Sequence, residues 1–208
     1  MKKIKPYKNI NSALQSLDNG GQFFNFRTKA EDGIITQSEL GKIGGVFIEN
    51  QQLILFLEMS LLQLDQSAKD AIISKLDSGL QKKYLKYKSQ ELLPSEANLK
   101  GIISSNAIIT GIPKMIESKT DFNGFIMFPI SSGNVTTIMM IPLIDEYDVY
   151  ELRDEESSET FLIAHLKDSK RLPSKKMILG GVLKELNESE EENEAKGKFL
   201  EAIYHFEY

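Results

Sequence analysis

The chain has 208 residues and no cysteine, with 41% hydrophobic residues, 26% charged residues and a net charge of −5. That is the composition of an ordinary globular protein, with enough length for one large domain or two small ones. It excludes a disulfide framework, thiol catalysis and a cysteine-based zinc site. The longest dense apolar stretch, Leu53 to Leu64, contains Glu58 and Gln63 and is too short and too polar to span a bilayer.

In chain order, residues 1–11 read as a lysine-rich leader of weak structure. A proline, not an apolar run, follows Met1–Lys5, so no signal peptide is read and a cytoplasmic location is expected. Ser12 to Leu17 supplies a turn or two of helix, stopped by Asn19-Gly20-Gly21, and Gln22 to Phe26 is a short apolar run. A helix runs from Thr36 to about Ile43, and Gly44-Gly45 ends it. Residues 46–59 admit a helix capped by Asn50 or a β-hairpin. The helical spacing of Leu53, Ile54, Leu57, Leu61 and Leu64 outlasts any ordinary strand and favours the helix. Asp65 or Ser67 caps the next helix, Ala68 to Leu76; Ser78-Gly79 interrupts it, and the pattern resumes from Leu80 to Tyr87. Pro94-Ser95-Glu96 opens a short final turn.

From Gly101 the texture changes to short apolar runs between turn signals. Gly124–Ile130 and Val135–Ile141 form a hairpin about Ser131–Asn134, and strands follow at Val149–Leu152, Thr160–Lys167, Lys176–Leu186 and Phe199–Tyr208. Gly180-Gly181 marks a bulge or a close backbone approach. The predicted class is therefore α+β: a mainly helical region at residues 1–100 and an antiparallel barrel or sandwich at residues 101–208, with about seven strands. Charge divides in the same place. Residues 1–100 carry 14 Lys and Arg against 11 Asp and Glu, a balance of +3, while residues 101–208 carry 11 against 19, a balance of −8.

The segment Asp32 to Leu40 resembles the second half of an EF-hand calcium loop, with Gly33 as the turn glycine, Ile35 as the central apolar residue and Glu39 as the closing carboxylate. Asp32 and Thr36 would also face the ion. On that phasing Thr28 and Ala30 stand where carboxylates are required, and Ala30 has no side-chain oxygen. A turn at Asp32-Gly33 followed by a capping box, Thr36-x-x-Glu39, accounts for the same residues without an ion. No metal and no cofactor are expected.

Three further groups carry possible chemistry. His165 and His205 lie on strands and could share a metal or a proton-transfer site, but no ligand-spaced partner accompanies them. Asp145, Glu146, Asp148 and Glu151 form a carboxylate cluster with the same ambiguity, since exposed charge is the default. Two basic clusters, Lys82, Lys83 and Lys86 interleaved with Tyr84 and Tyr87, and Lys170, Arg171, Lys175 and Lys176 around Pro173, suit nucleic-acid phosphates; the surrounding acidic runs oppose that. No nucleophile elbow, phosphate loop, dinucleotide fingerprint or zinc-helix motif occurs, which argues against the common enzyme classes. The leading expectation is a non-enzymatic binding or regulatory protein acting through a protein partner, with Tyr204, Phe206 and Tyr208 as candidate contacts, although aromatics at these positions equally serve to close the core. The alternatives are a nucleic-acid-binding β-barrel and an enzyme with a motif-less site at His165 or His205.

Overall fold

The structure is a computed structural model, and it describes residues 1–19, 32–46, 48–116, 124–132, 135–155, 159–167, 170–186 and 197–207, with the side chains of 125–139 and of Asp145 left aside. The chain divides into two compact units, Lys3–Ser89 and Met1–Lys2 with Gln90–Tyr208.

The Lys3–Ser89 unit is helical, with α1 (Ile10–Leu17), α2 (Gln37–Gly44), α3 (Asn50–Ser60), α4 (Gln66–Ile73) and α5 (Ser78–Tyr87). Four of these begin at side-chain caps. Asn9 accepts the Ser12 N–H at 2.8 Å, Asp65 that of Ala68 at 2.8 Å and Asp77 that of Leu80 at 2.8 Å, and Thr36 forms the predicted capping box. Gly45 ends α2 in the left-handed conformation at φ 69°. Between Asn50 and Ser60 the helix is observed and the hairpin is not. Leu53 to Leu57 are buried without a break, which makes α3 the core element of this unit. Asn50 is the first residue of α3 and not its cap. Ser78-Gly79 does not interrupt a helix: with Asp77 as cap, these residues start α5. The amino-terminal leader is also more ordered than its lysines suggest, since Lys2–Lys3 form strand β1 and Ile4 is buried. The Gln22–Phe26 run lies outside the described residues.

The second unit contains β2 (Gln90–Leu92), α6 (Pro94–Lys100), β3 (Asn106–Met115), β4 (Phe125–Ser132), β5 (Val135–Pro142), α7 (Leu143–Glu146), β6 (Tyr147–Arg153), β7 (Thr160–Leu166), β8 (Met177–Leu186) and β9 (Gly197–Glu207). Its seven-stranded sheet has the order β1-β9-β7-β6-β3-β2, and β8 pairs with both β3 and β9; β4 and β5 form the predicted hairpin as a separate two-stranded sheet. The sheet is mixed, which corrects the antiparallel expectation. The β3–β6, β3–β8, β6–β7 and β8–β9 ladders are antiparallel, but β2–β3 and β7–β9 are parallel. Strand direction depends on how the chain returns to the sheet, which residue patterns within a strand do not encode.

Alternation sets the two faces of this sheet. Tyr150, Leu152, Phe161, Ile163, Leu179 and Leu200 belong to one core cluster, while Tyr147, Val149, Ala164, Leu186 and Phe199 pack on the other side with Leu143 of α7. The glycine pair behaves as predicted. The β8–β9 register shifts between Gly180 and Gly181, and a Cβ on Gly181 would lie 2.2 Å from the Glu201 carbonyl oxygen.

Candidate functional site

The half calcium motif is built as a turn and a cap. Gly33 takes φ 82°, and its N–H and that of Asp32 are held by the Asp18 carboxylate at 2.8 and 3.2 Å. The buried Glu39 carboxylate accepts from both the N–H and the hydroxyl of Thr36 at 2.8 Å. Glu39 thus serves the start of α2, and Thr28 and Ala30, the other positions of the calcium phasing, lie outside the described residues.

Both histidines lie in strands, His165 in β7 and His205 in β9. His165 is 1% exposed, stacks on Tyr150 with ring centroids 5.6 Å apart, and has its Nδ1 2.9 Å from the Leu166 carbonyl oxygen. His205 lies 3.5 Å from Glu207. Among the described residues no group of three or more His, Asp or Glu is arranged to hold a metal ion. The carboxylate cluster is divided by a change of element: Glu146 belongs to α7, whereas Asp148 and Glu151 belong to β6 on opposite faces.

The basic clusters are partly neutralised. Lys175 pairs with Glu207 at 2.6 Å, and Lys176 pairs with Glu155. Lys170 and Arg171 are exposed. In the helical unit, Lys83 donates to Gln37, Lys86 lies 5.0 Å over the Tyr87 ring, and Lys82 is exposed. Of the three carboxy-terminal aromatics, Tyr204 is 1% exposed and belongs to the interior, and Phe206 is half-buried. Tyr208 lies outside the described residues.

A different surface in the second unit is apolar and open. Leu99 at the end of α6 is 86% exposed, and Ile102 and Ile103 just beyond it are 61% and 38% exposed. The local sequence explains the exposure. Pro94 starts α6 and Ala97 is its buried contact; Gly101 then takes the chain off the helix, and Ser104 turns it towards β3 at φ 65°. The apolar pair therefore occupies a turn instead of extending a strand. The sequence contains a signal for it: Ile102-Ile103 is bracketed by Gly101 and by Ser104-Ser105-Asn106, too short a run for a strand and too apolar for an ordinary turn.

No protein-family model matches the chain, and no curated protein matches it. Among solved structures the chain is similar to the N-terminal domain of an archaeal MCM, with 12% sequence identity, coverage of 83% of this chain and 84% of that one, and a TM-score of 0.35. A likeness of that strength carries no argument about function. By its own elements the chain is an α+β protein with a helical unit and a unit built on a mixed seven-stranded sheet. No described helix is long and apolar enough to cross a membrane.

Proposed function

We propose that this protein is a non-enzymatic binding module that acts through a protein partner. One observation supports the reading: three exposed apolar side chains lie within five residues of one another in the chain, at Leu99, Ile102 and Ile103. Contiguous exposed apolar surface with a polar rim is the signature of a protein-binding patch. The test is affinity purification of the tagged full-length chain from cells that express it, with and without nuclease. A stoichiometric protein that survives both nuclease and high salt supports the reading. Loss of every co-purifying species on nuclease treatment would overturn it.

The second reading is a nucleic-acid-binding barrel, and the strand pairing favours it. We infer that β3, β6, β7, β9 and β8 close into a small barrel, because β3 bonds to both β6 and β8 and β9 to both β7 and β8. This order, with one parallel ladder, matches the OB-fold, a partly open five-stranded Greek-key barrel whose second and third strands commonly bind oligonucleotides. Fold alone does not assign that role. The corresponding outer face, on β6 and β7, has Tyr147, Val149 and Ala164 buried beneath Leu143 and Phe199, and its open end carries Glu151. Among the described residues this face exposes no aromatic ring, and Glu151 stands between the exposed Lys114 and Arg153, so its charge is mixed where single strands favour a positive groove with stacking aromatics. Labelled single-stranded DNA should therefore bind weakly. Tight, salt-sensitive binding abolished by charge reversal at Lys82, Lys83, Lys170 and Arg171 would promote this reading over the first.

A further inference from the structure

We propose that Ser174 is a phosphorylation site for a basophilic protein kinase, and that its phosphate is cradled by the four cations that flank it. The modification goes beyond the partner-binding reading and stands apart from it, because a kinase departs once the phosphoryl group is transferred.

The sequence around Ser174 is Lys170-Arg171-Leu172-Pro173-Ser174-Lys175-Lys176. Of the three arginines in the chain, only Arg171 stands three residues before a hydroxyl side chain. Kinases choose substrates largely by such charge patterns, since cations beside the serine complement an acidic substrate groove. The local structure presents the same residues to solvent. Residues 170–176 lead into β8 without helix or strand of their own, and all but Leu172 are exposed. Leu172 is buried in the core of the sheet unit, and its N–H donates to the Tyr150 hydroxyl at 3.0 Å. In extended chain, burying that one side chain turns its neighbours outward. The Lys175 N–H donates to the Pro173 carbonyl oxygen at 2.8 Å, a γ-turn with Ser174 at its centre. Among the described residues none hydrogen-bonds to the Ser174 side chain, so its hydroxyl is open to a phosphoryl donor. Ser89 also follows lysines, but its N–H and its hydroxyl both donate to the Glu58 carboxylate.

In the transfer, the Ser174 Oγ bonds to the γ-phosphorus of magnesium ATP, and the bond from that phosphorus to the β,γ-bridging oxygen breaks. ADP leaves with the electron pair, and the hydroxyl proton passes to the catalytic base of the kinase. The product sets a charge of about −1.5 to −2 and three acceptor oxygens among Lys170, Arg171, Lys175 and Lys176. Lys175 pairs with Glu207 at 2.6 Å and Lys176 with Glu155, and both lysine side chains are well exposed. Exposed pairs of this kind are weak, so a phosphate dianion next to both ammoniums competes for them. Arg171 adds a planar fork that can bind phosphate through two N–H bonds. Phosphorylation therefore cancels much of the positive charge of this loop and draws Lys175 away from Glu207 at the end of β9.

The test incubates the folded full-length chain with magnesium ATP and the catalytic domain of protein kinase C, a basophilic serine kinase, and maps the phosphate by mass spectrometry. Ser174 should be the principal site. Ser174→Ala should abolish that phosphopeptide, and Arg171→Ala should lower the initial rate at least tenfold while Arg171→Lys restores most of it. All three should keep the wild-type circular dichroism spectrum, because both side chains are exposed. Phosphate placed mainly elsewhere, no phosphate at all, or a rate indifferent to Arg171→Ala would overturn the site. The cradle has its own readout in a phosphorus NMR titration of the phosphorylated chain. Its midpoint should lie below about 6, the ordinary second pKa of phosphoserine, and should return to that value in denaturing urea. Equal midpoints in the folded and unfolded chain would overturn the cradle.

Discussion

At Thr36 and Glu39 two side chains satisfy each other and the first turn of α2, with Glu39 fully enclosed. Thr36→Ala should cost about 1 kcal/mol, the usual penalty for losing an N-cap, read as a lowered denaturant midpoint. Calcium should leave that midpoint where it is, since the Glu39 carboxylate already accepts two hydrogen bonds from Thr36; a chelator-reversible stabilisation lost in Glu39→Gln would contradict this assignment. Gly181 is a second single-residue determinant. Its Cβ position collides with backbone, not with a movable side chain, so Gly181→Ala should destabilise by about 2–3 kcal/mol, as overpacking does. The cap was legible from residues three apart, and the glycine pair marked a bulge or close approach, although the backbone that Gly181 meets, at Glu201, lies far along the chain. Tyr204 is buried, as expected of a large strand aromatic that closes a core, and its candidacy as a partner contact falls with that.

At the scale of elements, β6 and β9 are coupled by the Tyr147 hydroxyl, which donates to Glu201 at 2.8 Å, while Glu201 also pairs with Lys184 of β8 at 2.6 Å. Burial pushes the Tyr147 phenol above its ordinary value, and the hydrogen bond to the Glu201 carboxylate and that carboxylate's charge push it further. Tyr7 and Tyr150 are raised by burial as well, each opposed by one hydrogen bond. Below pH about 10 both folded and unfolded chains keep these protons. Above it the unfolded chain releases them first, so the stability these groups contribute is lost as pH rises from there. Tyr147→Phe should therefore flatten part of the alkaline decline in the melting temperature, at a cost of about 1 kcal/mol at neutral pH for the lost hydrogen bond. A decline of unchanged steepness would mean that Tyr147 ionises normally. The Gln90 side chain is the corresponding link between β2 and the apolar turn. Gln90→Ala should loosen residues 100–105, seen as faster amide exchange at Ile102, while Leu99 and Ile102 stay in place as side chains.

Over the whole molecule, each of the two units has buried side chains of its own: Leu53, Ile54 and Leu57 within Lys3–Ser89, and Phe161, Ile163 and Leu200 within the sheet unit. Separate cores favour separate opening events. Native-state hydrogen exchange should show Thr36→Ala accelerating amides of the helical unit alone, and Gly181→Ala those of β8, β9 and their neighbours. Equal acceleration of both units by either substitution would mean that they open as one.

The sequence by itself determined the α2 capping box, the helix over Asn50–Ser60, the β4–β5 hairpin and the α+β class, because each depends on side-chain period or on contacts within a few residues, whereas it misplaced Asn50 as a cap and Ser78-Gly79 as a break. It misread elements whose identity depends on distant chain. Lys2–Lys3 and Gln90–Leu92 are strands because other strands lie beside them, and β7 runs parallel to β9 because of the path between them. The exposure of Leu99, Ile102 and Ile103 was decided only in the tertiary structure. An isolated apolar pair is as compatible with a core as with a surface, and here Gln90, Leu183 and Lys198, far away in the chain, hold its backbone in a turn that points it outward.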